Sequence, residues 1–140
     1  MRAEAMQPKA NDAARPSLLI ADDDAVVRAA LSAQLAAEFD VVAAVGSASQ
    51  AIAEADKHRP DAALIDVDMP EGGARAAVPE IASRSPGTCM VILSGDETRQ
   101  LVVELLAAGA IAYVRKGISA AEIAETLMAG INAKAADAPA

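Results

Sequence analysis

Four polar clusters punctuate this chain, and each closes an apolar run: Ala21-Asp22-Asp23-Asp24, Ile65-Asp66-Val67-Asp68, Leu93-Ser94-Gly95-Asp96 and Val114-Arg115-Lys116-Gly117. An acidic cluster, a lone carboxylate, a hydroxyl and an ammonium, in that order, are the groups that phosphoryl transfer needs. Carboxylates gathered in one pocket repel, so one takes up a proton or a cation neutralises them. An all-oxygen acidic site suits Mg²⁺ or Mn²⁺. A cation held there would shield Asp66 and bind the oxygens of an incoming phosphoryl group, leaving this carboxylate able to attack phosphorus and form an aspartyl phosphate. Lys116 would bring an ammonium to the phosphoryl oxygens, and Ser94 a hydroxyl donor.

Positioning these groups together requires a scaffold that aligns strand ends. Apolar runs at Ser17 to Ala21, Val41 to Val45, Ala62 to Asp66, Thr88 to Leu93 and Ile111 to Val114 read as strands covered on both faces. Stretches of helix length lie between and after them: Ala25 to Glu38, Ser47 to Lys57, Gly73 to Arg84, Glu97 to Ala108 and Ser119 to Gly130. The alternation predicts an α/β fold, a doubly wound five-stranded parallel sheet with five helices in a single domain. Ligands in such sheets bind beyond the carboxyl ends of the strands, where all four clusters sit. With strand order 2-1-3-4-5, strands one and three are neighbours about 5 Å apart, and Asp22, Asp23 and Asp66 converge.

In order and spacing these residues resemble the receiver domain of two-component response regulators, from about Leu18 to Gly130. The resemblance implies that Asp22 and Asp23 are the acidic metal-binding pair and Asp66 the phosphorylated residue, with the backbone carbonyl of Asp68 completing a Mg²⁺ or Mn²⁺ site. It also implies that Ser94 and Tyr113 are the switch hydroxyl and switch aromatic, and Lys116 the family's lysine. The donor would be a sensor histidine kinase or phosphotransfer protein. Output would pass to a downstream effector, or through self-association, by the face of helix four, strand five and helix five. The Lys-Gly ending resembles receivers that precede a helix-turn-helix output domain, so the chain reads either as a stand-alone receiver or as part of a longer, DNA-binding regulator.

The chain departs from that pattern after Asp66. The family's usual glycine falls at Ala74, whereas Gly73 stands one place early, and Pro79 lies inside the third helix, where it removes a hydrogen bond and should loosen the helix start. Asp68 and Asp96 add negative charge at the mouth of the pocket. Asp24 reads as the cap of the first helix rather than a ligand. Ser47 with Gln50, and Ser119 with Glu122, read as capping boxes.

Two alternatives keep their place. Asp66-Val67-Asp68 also resembles the nucleophile and acid pair of haloacid dehalogenase phosphatases, although Pro70 does not fit that motif and its acidic metal pair follows the nucleophile. A pseudo-receiver serving only as a protein-binding module is the other.

Composition narrows the classes further. The 140 residues suffice for one ordinary domain, and 54% are apolar. A formal net charge of −8, with one Phe and one Tyr, argues against nucleic-acid binding by this chain itself. No apolar run approaches a membrane span or a signal peptide, and one cysteine agrees with a reducing compartment, so the cytoplasm is expected. Cys89 reads as a small buried hydrophobe and His58 as a surface residue. Residues 1–16 and 131–140 read as flexible extensions flanking a domain over 17–130.

Overall fold

The computed structural model describes residues 15–95 and 99–137. Five strands alternate with five helices: β1 (Ser17–Ala21), α1 (Ala25–Leu35), β2 (Asp40–Val45), α2 (Ala48–His58), β3 (Ala62–Asp66), α3 (Gly73–Arg84), β4 (Cys89–Ser94), α4 (Arg99–Ala108), β5 (Ala112–Arg115) and α5 (Ala120–Asp137). All strand pairings are parallel, and the order across the sheet is β2-β1-β3-β4-β5, as expected.

Alternation along the central strands sends side chains to both faces. Leu19, Ala21, Ala63, Ile65, Met90 and Ile92 pack with α2, α3 and α4, where Ala51, Ala77, Val78, Ile81 and Leu105 are buried. Leu18, Ile20, Leu64, Val91 and Leu93 pack on the other face, against Leu31 and Leu35 of α1 and Ile123 and Leu127 of α5. Burial on both faces explains the uninterrupted apolar strands. It fixes the sheet, and the sheet fixes the site.

Helix ends follow local chemistry. Asp24 caps α1, its Oδ1 accepting the N–H groups of Val26 and Val27 at 2.9 and 3.2 Å. Ser47 accepts the Gln50 N–H at 3.2 Å, but the Gln50 side chain returns to the Gly46 N–H instead of that of Ser47. Ser119 accepts the Glu122 N–H at 3.2 Å. α1 stops at Leu35, short of Glu38, and the turn that follows buries Phe39 fully. α5 continues past the expected boundary at Gly130 to Asp137, so residues 131–137, expected in a tail, are helical. The remaining tail residues, the first 14 residues, Asp96 and the expected α4 start at Glu97 lie outside the described residues.

α3 begins at Gly73, where it was expected, and runs without interruption through Pro79. Its approach is unusual. Glu71, Gly72 and Gly73 have φ of 68°, 103° and 60°, and no side chain caps the helix.

Candidate functional site

Strand register builds the site. Ala21 pairs with Ile65, so Asp22 and Asp66, the next residue on each chain path, leave neighbouring strands side by side. Asp66 pairs with Leu93 of β4, one residue before Ser94. Ser94 pairs with Arg115, one residue before Lys116, and the Lys116 N–H donates to the Ser94 carbonyl at 2.7 Å. Four strand ends thus bring Asp22, Asp66, Ser94 and Lys116 to one edge of the sheet.

Asp22 and Asp66 are buried, each 1% exposed, while Asp23 is exposed at the rim. Carboxylate oxygens of Asp22, Asp23 and Asp66 lie within 4.8 Å of one another, the acidic convergence expected from the sequence. Asp66 Oδ1 accepts the Lys116 ammonium at 3.0 Å and the Asp68 N–H at 3.4 Å. Asp22 Oδ1 accepts the Asp24 N–H at 2.9 Å. The second oxygens, Asp22 Oδ2 and Asp66 Oδ2, are buried without a hydrogen-bond partner. Buried polar atoms are nearly always satisfied. Two orphaned anionic oxygens beside a third carboxylate fit a hard divalent cation with oxygen ligands.

Electrostatics agree with that strain. Burial pushes the Asp66 carboxyl up to about 6, and the Asp22 charge adds to the rise, against the opposing pull of Lys116 and the Asp68 N–H. Asp24 sits outside the cluster as the α1 cap.

The loop after Asp66 is tied down at several points. Ser49 donates to Glu71, whose carboxyl this bond and one from Ser47 hold below the usual range, and the Ala48 N–H donates to the Pro70 carbonyl at 3.1 Å. A Cβ on Gly73 would come within 2.4 Å of the Val67 carbonyl oxygen. The displaced glycine therefore has its own cause: here the main chain of residue 73 packs against the loop, and Ala74 next to it is fully buried yet accommodates a methyl group.

Ser94 is buried at the end of β4, whereas Tyr113 is half exposed. Both line a groove of about 450 Å³ between α4 and β5, with Arg99, Val103 and Arg115. The structure therefore connects the two expected switch residues through one groove.

His58 lies on the surface of α2, 3.1 Å from Glu54, and Cys89 is buried in β4 with its thiol pushed up to about 11 by burial. Arg28 of α1 carries no motif that would single it out, yet its Nη1 donates to the Asp22 main-chain carbonyl at 2.7 Å. The only hint in the chain is a cation placed shortly after the acidic cluster. Among the described residues no helix is long and apolar enough to cross a membrane.

Comparison with known proteins agrees with this geometry. A family model described as the response regulator receiver domain matches residues 18–128. The transcriptional regulatory protein PdtaR of Mycobacterium tuberculosis is 36% identical over 114 residues, covering 80% of this chain and 55% of that protein. The DNA-binding transcriptional activator DevR/DosR of the same organism is 34% identical over 112 residues, 79% of this chain and 52% of the relative. The chain thus spans about half the length of these curated relatives. A CheY-like receiver domain protein from Methanospirillum hungatei superposes with a TM-score of 0.83 at 21% identity, covering 89% of this chain and all of that one. The receiver domain of the sensor histidine kinase PA1611 from Pseudomonas aeruginosa, whose active-site cleft coordinates a magnesium ion, superposes with a TM-score of 0.75 at 25% identity over 85% of this chain and 99% of that one.

Proposed function

Because the chain belongs to the response regulator receiver domain family, we propose that it is a phosphorylation-controlled signalling switch with Asp66 as the phosphoacceptor. The observation that carries this is the pairing of a buried Asp66 with Lys116 at 3.0 Å, beside the orphaned oxygens of Asp22 and Asp66.

Asp22, Asp23 and Asp66, with the Asp68 carbonyl, would hold Mg²⁺ or Mn²⁺. Such an ion supplies charge neutralisation, so that an anionic carboxylate and an anionic phosphoryl group can approach. The chain's own residues do the rest. Burial strips water from the Asp66 oxygens, and the fixed loop aims them out of the strand end. Lys116, already on Oδ1, would follow charge to the phosphoryl oxygens once Asp66 carries the phosphoryl group as an acyl phosphate. Ser94 offers a hydroxyl from the neighbouring strand end. Its movement toward a phosphoryl oxygen would open space in the α4/β5 groove, which Tyr113 would fill.

A sensor histidine kinase or phosphotransfer protein in the cytoplasm is the donor, and the α4/β5/α5 face signals to an effector or a second copy. The relatives that are transcriptional regulators suggest a DNA-directed output through another segment or a partner, consistent with the acidic charge of this chain. Its catalysis extends only to its own phosphorylation and dephosphorylation. Membership in the receiver family leaves the haloacid dehalogenase reading without support.

Incubation with acetyl phosphate and Mg²⁺, followed by intact-mass analysis, is expected to show one added phosphoryl group on the native chain and none on Asp66→Asn. Retention of the added mass in that variant would reassign the acceptor. No uptake by the native chain would favour the pseudo-receiver.

A further inference from the structure

We propose that Arg28 is a positioning residue that locks the Asp22 peptide and thereby sets the metal-facing oxygen of Asp22. The inference rests on the cation-binding reading of the acidic pocket.

Asp22 is held at every polar atom but one. Its N–H donates to the Val45 carbonyl at 3.0 Å, its carbonyl accepts Arg28 Nη1 at 2.7 Å, and its Oδ1 accepts the Asp24 N–H at 2.9 Å. Oδ2 alone is buried without a partner. Three fixed points define the orientation of the fourth atom. Of the three, the bonds to Val45 and Asp24 are main-chain features of the sheet edge and the turn. Arg28 is the one side chain in the set, reaching back six residues from α1.

The neighbouring turn is shaped to admit that side chain. A Cβ on Gly46 would stand 2.9 Å from Arg28 Nη1 but 3.8 Å from the Asp22 carbonyl oxygen, so an added methyl would displace the guanidinium and spare the main chain. Gly46 has no positive φ that would strain an alanine. The Gly46 N–H is itself engaged by Gln50 at 3.2 Å. Arg28 is rooted by the first intrahelical bond of α1, its N–H donating to the Asp24 carbonyl at 2.9 Å. The acidic turn, the first helix and the β2–α2 turn therefore meet at one guanidinium. Groups that orient metal ligands in this way typically govern affinity by about ten- to a hundredfold.

The test is Mn²⁺ binding by the full chain, read from the electron paramagnetic resonance signal of free Mn²⁺, with thermal unfolding in EDTA recorded alongside. Arg28→Met is expected to bind Mn²⁺ about tenfold more weakly. Gly46→Ala, with Arg28 intact, is expected to weaken binding in the same direction, and to have no further effect in the Arg28→Met background. That non-additivity is the decisive readout, because a merely structural role for either residue would give additive losses. Arg28→Met binding within twofold of the native chain, or additive effects of the two substitutions, overturns the proposal. If Arg28→Met does not fold, native-like affinity in Gly46→Ala overturns it and weakened affinity supports it. Failure of the native chain to bind Mn²⁺ overturns the cation reading, and the role of Arg28 with it.

Discussion

The Lys116 ammonium lies 3.0 Å from Asp66 Oδ1, although Lys116 is on the edge strand's exit and Asp66 is two strands away in the middle of the sheet. β4 lies between them, so the contact spans the carboxyl edge above Ser94. A lysine stem is long enough to bridge that gap, and its partly exposed position leaves it room to move.

Lys116→Ala is expected to separate phosphoryl uptake from switching. Asp66 keeps its acidic neighbours and still takes up a phosphoryl group from acetyl phosphate and Mg²⁺. The structural response at Ser94 and Tyr113 is lost, seen as amide resonances that no longer shift on phosphorylation. Native-like shifts in the variant would remove Lys116 from the switch.

The Asp66 carboxyl sits at about 6 against an ordinary 3.8, chiefly because it is buried. The folded chain therefore holds this proton more tightly than the unfolded chain. In metal-free protein the resulting stabilisation is fully present below about pH 4 and is lost as pH rises through about 6. The unfolding temperature in EDTA is expected to fall between pH 5 and pH 7, and to fall less in Asp66→Asn. Equal slopes in the two proteins would assign the effect to other groups.

Asp24→Ala tests the assignment of a cap against that of a ligand. Loss of the bonds to Val26 and Val27 should cost about 1 kcal/mol in urea unfolding. Mn²⁺ affinity should stay within about twofold, since the main-chain N–H of residue 24 still reaches Asp22 Oδ1. A tenfold loss of affinity would place Asp24 in the metal site.

Cys89 is fully buried and its thiol is pushed up to about 11. At pH 8 only about a thousandth of it is thiolate, and reagents reach it only through opening of the fold. Labelling by a thiol reagent at pH 8 should be slow in the native chain and fast in urea. Rapid native labelling would contradict the packing of β4 beneath α5.

The order of strands and helices was legible because both faces of the sheet are covered, leaving apolar runs with polar ends. The acidic convergence followed from topology alone, since adjacent parallel strands must bring Asp22 and Asp66 together. Boundaries were less legible. α5 outran Gly130 because Ala-rich segments sustain a helix by propensity without an amphipathic pattern, while Ile131 still finds the core. α1 fell short of Glu38 because burial of Phe39 turns the chain at Ala36. Arg28 was invisible because its role depends on a main-chain carbonyl, which leaves no trace in side-chain identity. Neither the partnerless oxygens nor the groove shared by Ser94 and Tyr113 can be read without three-dimensional placement.

The close approach of Gly73 to the Val67 carbonyl has a practical bearing on protein engineering. Column-by-column transfer of a family consensus would restore glycine at 74 and put a side chain at 73, inserting a methyl group where 2.4 Å is available. A chimaera that borrows its phosphoacceptor loop from another receiver must exchange residues 67–74 as one cassette, because the glycine and the carbonyl it shelters are a matched pair.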